Sequence, residues 1–319
     1  MSSAPHALRG YLYIAAATFL WGVAATLGRA AFTGRLLPAG QALSPIDPLL
    51  LSQSRVTVSF LTLLPILAGR AGWRRLRLPP ADMGRMFLLG VLGIAASNFF
   101  YYLAIQRTNV ATAITVQYTA PVWVLLYLVA RGRQKPTLPR LAAVTLAAAG
   151  IAIVINVFGS GGWRLDTLGV AAALLSAVAF AFYNIYGHGI LGRYDRWTVL
   201  LYTIGSASLF WMLVHPPWKI AAGHHSGGQW LFLLVFALVS SLGPFSFYYA
   251  GLQHLEPTRA IVASCLEPVF AIVIAAMALG EVMQPWQAGG IALVLAAILV
   301  VQMPDRKTRE PAAFVEPIE

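Results

Sequence analysis

Ten long apolar runs constrain the fold of this chain more than any other feature of its sequence. Each run has about 18 to 24 residues, and a helix rises about 1.5 Å per residue, so each run can cross roughly 30 Å of hydrocarbon. The long alternating stretches that barrel strands need are missing from the sequence. The runs occupy residues 10 to 32, 48 to 68, 84 to 106, 109 to 130, 139 to 157, 167 to 190, 197 to 215, 229 to 252, 257 to 279 and 285 to 303.

The composition is that of a chain embedded in lipid. Hydrophobic residues make up 59% and charged residues 10% of the 319 residues, whereas soluble domains have about half and about a quarter. The sequence therefore predicts an all-α membrane protein with ten transmembrane helices. The single cysteine, Cys265, cannot form an intrachain disulfide.

The basic residues predict the orientation in the membrane. They lie almost entirely between the apolar runs, which argues against a nucleic-acid partner despite the net charge of +11. Sixteen Lys and Arg residues fall in one set of alternate connections and five in the other. Because cytoplasmic loops carry the basic excess, we expect both termini, including a tail at 305–319, in the cytoplasm. The expected location is the cytoplasmic (inner) membrane of the cell.

The second half of the chain repeats the first at a fixed separation of 147 residues. The identical pairs are Phe100 and Phe247, Tyr101 and Tyr248, Tyr102 and Tyr249, Gln106 and Gln253, Ala113 and Ala260, Ile114 and Ile261, Pro121 and Pro268, and Val122 and Val269. The repeat divides the chain into five spans at 1–160 and five at 161–304. Because five is an odd number, the second half enters the membrane from the opposite side, which predicts two inverted repeats with a substrate site near midplane between them.

The residues that carry the repeat also resemble the EamA family of the drug/metabolite transporter superfamily, over nearly the whole chain. The resemblance rests on Trp21-Gly22, Arg55, Tyr102, Ala104, Thr112, Ala113 and Pro121 in the first half, and on Pro268, Gly280-Glu281, Gly289 and Gly290 in the second. The first half departs from the pattern, since Arg133-Gln134 stands where the second half has Gly280-Glu281. We assign Glu281 a structural role.

The resemblance implies ten spans, export or facilitated passage of amino acids or related metabolites, and a central cavity lined mainly by spans 1, 3, 4, 6, 8 and 9. The aromatic content of these spans favours the aromatic amino-acid exporter branch. The alternatives are a carrier of another metabolite class and a channel-like facilitator. The expected partners are a small-molecule substrate and the lipid bilayer, with no cofactor and with the chain as a monomer or weak dimer.

Two charged residues fall inside the apolar spans. Glu267 lies about ten residues into span 9, where an ionised group costs at least roughly 2.5 to 3.5 kcal/mol. We therefore expect Glu267 to face the cavity and to contact a substrate ammonium or exchange a proton; the alternative is a structural hydrogen bond beside Pro268. Arg55, in span 2, is expected to tie helices together, with contact to a substrate carboxylate as the alternative.

Polar and aromatic residues on one face of span 3 are further site candidates. Asn98, Tyr101 and Tyr102 share a helical face, and Tyr248 and Tyr249 take the matching positions in span 8. Because the halves are inverted, we hypothesise that the first tyrosine pair is an outer gate and the second an inner gate. Interfacial tyrosine belts are the alternative explanation.

The other site candidates lie in spans 1, 4, 6 and 9. They are Trp21, Gln117, Tyr118, Tyr183, Asn184 and Ser264. Gln117 and Ser264 occupy matching positions, so they either line the cavity or join helices to one another. Pro121 and Pro268 remove a backbone donor, and we expect a static kink at each.

The sequence argues against catalysis and against a metal centre. It contains neither H-E-x-x-H nor G-x-S-x-G, and its intramembrane carboxylates do not form a pair, so we expect no enzyme. No loop is long enough for the nucleotide domain of a primary pump. His224 and His225 have no carboxylate or thiol nearby in the sequence, so we expect no metal site there.

Overall fold

The computed structural model describes residues 4–34, 45–72, 77–132, 135, 137–154, 166–191, 193–252, 254, 263–264, 266–281 and 283–301, and it contains no strand in these ranges. The α-helices are α1 (Ala4–Thr33), α2 (Pro48–Ala71), α3 (Pro80–Leu88), α4 (Ala96–Arg107), α5 (Val110–Gln117), α6 (Ala120–Ala130), α7 (Leu138–Val154), α8 (Thr167–Leu191), α9 (Arg196–Val214), α10 (Pro217–Ala222), α11 (Gly227–Ala237), α12 (Gly243–Leu252), α13 (Leu266–Leu279) and α14 (Pro285–Val301). A first π-helical segment, Leu89–Ala95, joins α3 to α4, and a second, Leu238–Leu242, joins α11 to α12.

Seven helical stretches of the described chain are long and apolar enough to cross a membrane. They are Leu8–Thr33, Pro48–Arg70, Pro80–Arg107, Val110–Ala130, Thr167–Gly187, Trp197–Val214 and Gly227–Tyr248. Three shorter apolar helices, α7, α13 and α14, correspond to the remaining predicted spans. The prediction of an all-helical membrane protein that crosses the bilayer several times is thus confirmed. Within predicted span 9, residues 257–262 and 265 lie outside the described part of the chain.

Polar side chains define where several helices begin. Asp47 Oδ1 accepts a hydrogen bond from the Leu49 N–H at 2.7 Å, and Asn109 Oδ1 accepts one from the Thr112 N–H at 2.7 Å. Asp195 caps α9, and Ser226 forms a capping box at the start of α11. These oxygens satisfy backbone donors that the first turn of a helix leaves unpaired.

The helix of span 4 is interrupted in the middle, as the proline at position 121 predicts. A turn at Tyr118–Thr119 separates α5 from α6, and Pro121 occupies the first turn of α6. Proline is tolerated there because the first N–H groups of a helix need no partner within it. The turn places the side chain of Tyr118 at a break in the membrane-spanning segment.

The helices pack in a pattern that pairs elements from the two halves of the chain. α1 packs against α12 and α13, and α8 packs against α4, α5 and α6. α9 lies along the first π segment, whereas α2 lies along α11 and the second π segment. α2 and α9 contact each other, and so do α7 and α14. The elements around the Tyr118 break therefore come from both halves.

α7 and α14 approach closely because each has a glycine at the contact. A Cβ atom on Gly150 would lie 2.7 Å from the Gly290 carbonyl oxygen, and one on Gly290 would lie 2.7 Å from the Gly150 carbonyl oxygen. Small residues allow this approach between helices in lipid, where dispersion contacts hold helices together.

Candidate functional site

A buried arginine joins three helical segments. Arg55 of α2 donates from Nη1 to Asn98 Oδ1 at 2.7 Å and to the Tyr102 hydroxyl at 3.3 Å, and from Nη2 to the Ser240 carbonyl oxygen at 2.5 Å. Its Cζ also lies 5.9 Å from the centre of the Tyr102 ring, within the range of a cation–π contact. The arginine thus links α2 and α4 to the second π segment, where irregular backbone occurs at membrane depth.

Several polar atoms around Arg55 are buried without a partner in the described part of the chain. They are Arg55 Nε, the Tyr101 hydroxyl and Ser240 Oγ. The side chains of Arg55 and Tyr101 are only 8% and 6% exposed. Buried polar groups are nearly always hydrogen-bonded, so these three atoms are available to bond water or another polar molecule.

A carboxylate from the second half of the chain meets a tyrosine from the first half. The Tyr118 hydroxyl lies 2.6 Å from Glu267 Oε2 and 3.1 Å from the Ser264 carbonyl oxygen. An ionised Glu267 accepts a hydrogen bond from the Tyr118 hydroxyl, whereas a protonated Glu267 donates one to Tyr118, which then donates to the Ser264 carbonyl. Both protonation states of Glu267 therefore have a hydrogen-bonded arrangement.

Glu267 also lies within electrostatic reach of Arg55 and the residues around it. The Arg55 guanidinium is close enough to act on its carboxylate through space, and Tyr101 and Tyr102 lie near the same carboxylate. We call Arg55, Asn98, Tyr101, Tyr102, Tyr118, Ser264 and Glu267 the central cluster. It contains one cationic and one anionic side chain, together with amide and hydroxyl groups.

An aromatic group lies beside the central cluster. Trp21 of α1 contacts Phe245 and Tyr248 of α12 with ring centres 5.5 and 5.7 Å apart. Tyr248 shares a hydrogen bond with the side chain of Ser264, and Tyr183 of α8 packs against the same buried hydrophobic cluster as Tyr248. Four predicted site residues are thus brought together: Trp21, Tyr183, Tyr248 and Ser264.

Two predicted site residues, Gln117 and Asn184, belong neither to the central cluster nor to this aromatic group. Gln117 donates to Ser176 Oγ at 2.8 Å and so links α5 to α8. Asn184 is exposed and donates to the Phe180 carbonyl of its own helix at 2.7 Å. The backbone of Tyr249 is part of α12, but its side chain lies outside the described residues. Pro268 follows Glu267 in the first turn of α13.

A second charged site lies at one end of the bundle, which we call the Arg29 end. Arg29 Nε is 2.8 Å from Glu281 Oε1, and Arg29 Nη1 donates to the carbonyl oxygens of Ile105 and Gln106 at 2.7 and 3.0 Å. Glu281 Oε2 accepts a bond from the Val110 N–H at 3.3 Å. These bonds connect the end of α1, the turn between α4 and α5, and the segment after α13.

Glu281 is a predicted structural residue, whereas Arg29 is not among the predicted site residues. Arg29 belongs to the basic residues assigned to the connections, although it lies inside the predicted span 10 to 32. The signal that identifies the pair is a basic residue near the end of span 1 and an acidic residue after span 9. By the predicted topology, both lie on the same side of the membrane.

A second ion pair at the Arg29 end is more exposed. Arg107 Nη1 lies 3.2 Å from Asp166 Oδ2, and the two side chains are 47% and 35% exposed. The Gly169 N–H, followed by the Leu168 N–H and Arg107, holds the pKa of Asp166 below its ordinary value. Asp166 is therefore ionised at neutral pH, which makes this pair a useful control for Arg29 and Glu281.

Comparisons with known proteins agree with a membrane carrier. The model of the EamA-like transporter family matches residues 8–156 and 167–303. A probable terminal-alkyne amino-acid exporter of Streptantibioticus cattleyicolor is 27% identical over 256 residues, which cover 79% of this chain and 82% of that protein.

Two further matches extend the comparison. The threonine/homoserine exporter RhtA of Escherichia coli (strain K12) is 25% identical over 237 residues, covering 73% of this chain and 76% of the exporter. A protein of solved crystal structure has a TM-score of 0.57 at 20% identity, with 94% of this chain and 96% of that chain covered. The last match shows a shared fold.

Proposed function

Because the chain belongs to the EamA-like transporter family, we propose that it is a secondary transporter that exports or facilitates the passage of small metabolites, with amino acids or related compounds as the favoured class. The single observation that carries this proposal is the 2.6 Å contact between Tyr118 and Glu267. It places an ionisable group between the two halves of the chain, where alternating access needs a substrate site.

The proposed architecture is ten spans in two inverted five-helix repeats. Seven long and three shorter apolar helices supply ten candidate spans. When the second π segment is shifted back by 147 residues, it falls within the first. When the Tyr118–Thr119 turn is shifted forward by the same number, it falls at the start of α13. The packing also supports it, since exchanging the halves converts the α1 contacts with α12 and α13 into the α8 contacts with α4, α5 and α6.

The proposed orientation follows from the basic residues. Their excess in one set of connections favours cytoplasmic termini and a location in the cytoplasmic (inner) membrane. The Arg29 end then faces away from the cytoplasm. The tail at 305–319 lies outside the described residues. A monomer or weak dimer remains our proposal for the assembly.

The central cluster is the proposed substrate site. Glu267 offers a carboxylate to a substrate ammonium, and the unpaired Tyr101 hydroxyl offers a donor or acceptor nearby. Arg55 already bonds Asn98, Tyr102 and Ser240, so we assign it a positioning role. The Trp21 and Tyr248 rings supply a wall that suits flat or cationic groups.

The substrate class rests on chemistry and on two relatives. A site with a carboxylate, hydroxyl groups and aromatic rings fits a compact amphipathic molecule. Two relatives are named as exporters of amino acids, which favours that class here. The aromatic amino-acid branch is our narrower proposal. A carrier of another metabolite class and a channel-like facilitator remain the alternatives.

The first test is an efflux screen. Overexpression in a sensitive cell should confer resistance to toxic amino acids or their analogues, with faster efflux of the compound. Resistance that appears without faster efflux would contradict the proposal. A channel-like facilitator would show a flux that does not saturate with substrate concentration.

Glu267→Gln tests the role of the carboxylate in purified protein in liposomes. The Gln side-chain oxygen can still accept a hydrogen bond from the Tyr118 hydroxyl, so we expect the variant to fold. Losing a charge-assisted contact to the substrate should weaken apparent affinity roughly tenfold or more. Imposed pH gradients then separate proton-coupled from facilitated transport, and equal rates with and without a gradient would show that transport is not coupled to proton exchange at Glu267. Asp166→Asn, at the Arg29 end, is the matched control.

A further inference from the structure

The Arg29–Glu281 pair lines a cavity of about 210 Å³ at the Arg29 end of the bundle. The two side chains are 21% and 22% exposed, so each is partly buried but open to the cavity. Asn109 and Gln287 add polar groups to its lining, while Ile272 and Met283 add apolar ones. The central-site proposal uses none of these residues.

The two charges are held in place by backbone groups. The Ile105 and Gln106 carbonyls fix Arg29 Nη1, and the Val110 N–H fixes Glu281 Oε2. Nη2 of Arg29 makes no hydrogen bond to any residue in the described ranges. The guanidinium therefore keeps one donor group in addition to the one that it gives to Glu281.

We propose that Arg29 and Glu281 form a second binding site, which recognises a zwitterion such as an α-amino acid. The inference rests on the proposed function, and it adds where and how the substrate is recognised at this end of the path. The substrate carboxylate binds the fork of Arg29. The substrate ammonium binds Glu281, and the side chain lies against Ile272 and Met283.

The size of the cavity fits this class of ligand. Pockets for drug-sized molecules have about 300–1,000 Å³, so a space of about 210 Å³ suits a smaller compound. The ligand charges replace the internal ion pair, so neither Arg29 nor Glu281 is left unpaired when the ligand is bound. Because that pair links the end of α1 to the segment after α13, its replacement also releases a tie across this end.

The repeat does not carry the Glu281 carboxylate over to the other end of the molecule. The positions that the 147-residue repeat matches to Gly280 and Glu281 are Arg133 and Gln134. The repeat therefore supplies no counterpart of the Arg29–Glu281 pair at the matching position. The two entrances of the transport path differ in their chemistry even though the helices that form them are related by the repeat.

The test removes one charge from the protein and the matching charge from the ligand. Threonine, N-acetylthreonine and threonine amide compete with labelled threonine for exchange in right-side-out membrane vesicles. If the wild type does not exchange threonine, the amino acid found in the efflux screen and its two derivatives take its place. We expect the wild type to prefer the zwitterion over each derivative by at least about tenfold.

Each variant should lose one preference only. Arg29→Gln should bind the zwitterion and its amide with similar affinity, because the carboxylate no longer has its partner. Glu281→Gln should bind the zwitterion and its N-acetyl derivative with similar affinity. In everted vesicles, which present the other end, both variants should keep the wild-type preferences.

If Arg29 and Glu281 had a purely structural role, both variants would bind all three ligands more weakly by the same factor, and that result would overturn the inference. Unchanged preferences in both variants would overturn it as well. Arg29→Lys keeps the charge without the fork and should retain part of the carboxylate preference, which provides a second variant if Arg29→Gln does not fold. Arg107→Gln and Asp166→Asn are the matched controls. Failure of the wild type to move any amino acid would instead count against the proposed function.

Discussion

Arg55→Met tests whether one buried guanidinium holds three helical segments together. Methionine keeps an unbranched side chain on α2 but removes the charge and every donor. Asn98 Oδ1 and the Ser240 carbonyl then lose the donor that each has at 2.7 and 2.5 Å. The longer contact to Tyr102, at 3.3 Å, should contribute less.

The expected magnitude comes from the two short bonds. A bond to a charged group stabilises soluble proteins by about 1.5–3 kcal/mol, whereas interhelical bonds in membranes average about 0.6 kcal/mol and reach about 1.7 kcal/mol. Removing a buried charge also relieves its desolvation and offsets part of the loss. We therefore expect Arg55→Met to lower the free energy of unfolding by about 2 kcal/mol.

A double-mutant cycle with Asn98→Leu measures the pairwise term. Unfolding in mixed micelles can be followed by the fluorescence of the nine tryptophans, and we expect a coupling energy of about 1 kcal/mol between the two substitutions. Arg107→Met is the control, since exposed ion pairs contribute at most about 1 kcal/mol. The reasoning is wrong if Asn98→Leu costs the same with and without Arg55, or if Arg55→Met is as stable as the wild type.

Three further predictions use other contacts. Gly290→Ala should cost about 1–3 kcal/mol of stability because its Cβ would meet the Gly150 backbone. Gly289→Ala is the control: a Cβ there would meet no atom within 4 Å, so stability should change by less than about 0.5 kcal/mol. Equal effects of the two substitutions in an unfolding titration would contradict this. Tyr102→Ala and Tyr249→Ala should each change transport rate or selectivity, and unaltered transport in both would end the gating hypothesis. Asp195→Ala should lower the free energy of unfolding by about 1 kcal/mol because it removes the N-cap of α9, whereas Asp195→Asn should change it little. An unfolding titration that finds the same loss for both variants would refute the capping argument.

The apolar runs predicted the elements well because lipid leaves a chain few choices. A segment at membrane depth must satisfy its backbone internally, so a long apolar run becomes a helix whatever its neighbours are. The same physics predicted the break near Pro121, where a missing N–H and a bulky ring disfavour a continuous helix. Both features depend on local sequence alone.

The π segments could not be read from the sequence. The first contains no proline and lies within an ordinary apolar run, and its wider turns occur where Gly90 packs against the Thr203 carbonyl of α9. The second supplies the Ser240 carbonyl that Arg55 uses. Such turns depend on how helices from distant parts of the chain pack against one another, and the periodicity of the sequence does not predict that packing.

The candidate site was predictable in its residue types but not in its pairings. Glu267 and Arg55 were identified because charges within apolar spans are costly. Their partners depend on tertiary packing, since Tyr118 meets Glu267 only when the two halves lie side by side. Arg29 was missed for a related reason: a charge near the end of a span resembles an ordinary loop charge until its partner is located.

Cysteine accessibility at two positions 147 residues apart tests the antiparallel duplication most directly. Arg107→Cys and His254→Cys are introduced singly into a chain in which Cys265 is replaced by serine, and intact cells are treated with an impermeant maleimide. Labelling of position 107 but not 254, with both labelled after permeabilisation, is the result that oppositely oriented halves predict. Labelling of both positions in intact cells, or of neither, would show that the halves share one orientation and would contradict the account.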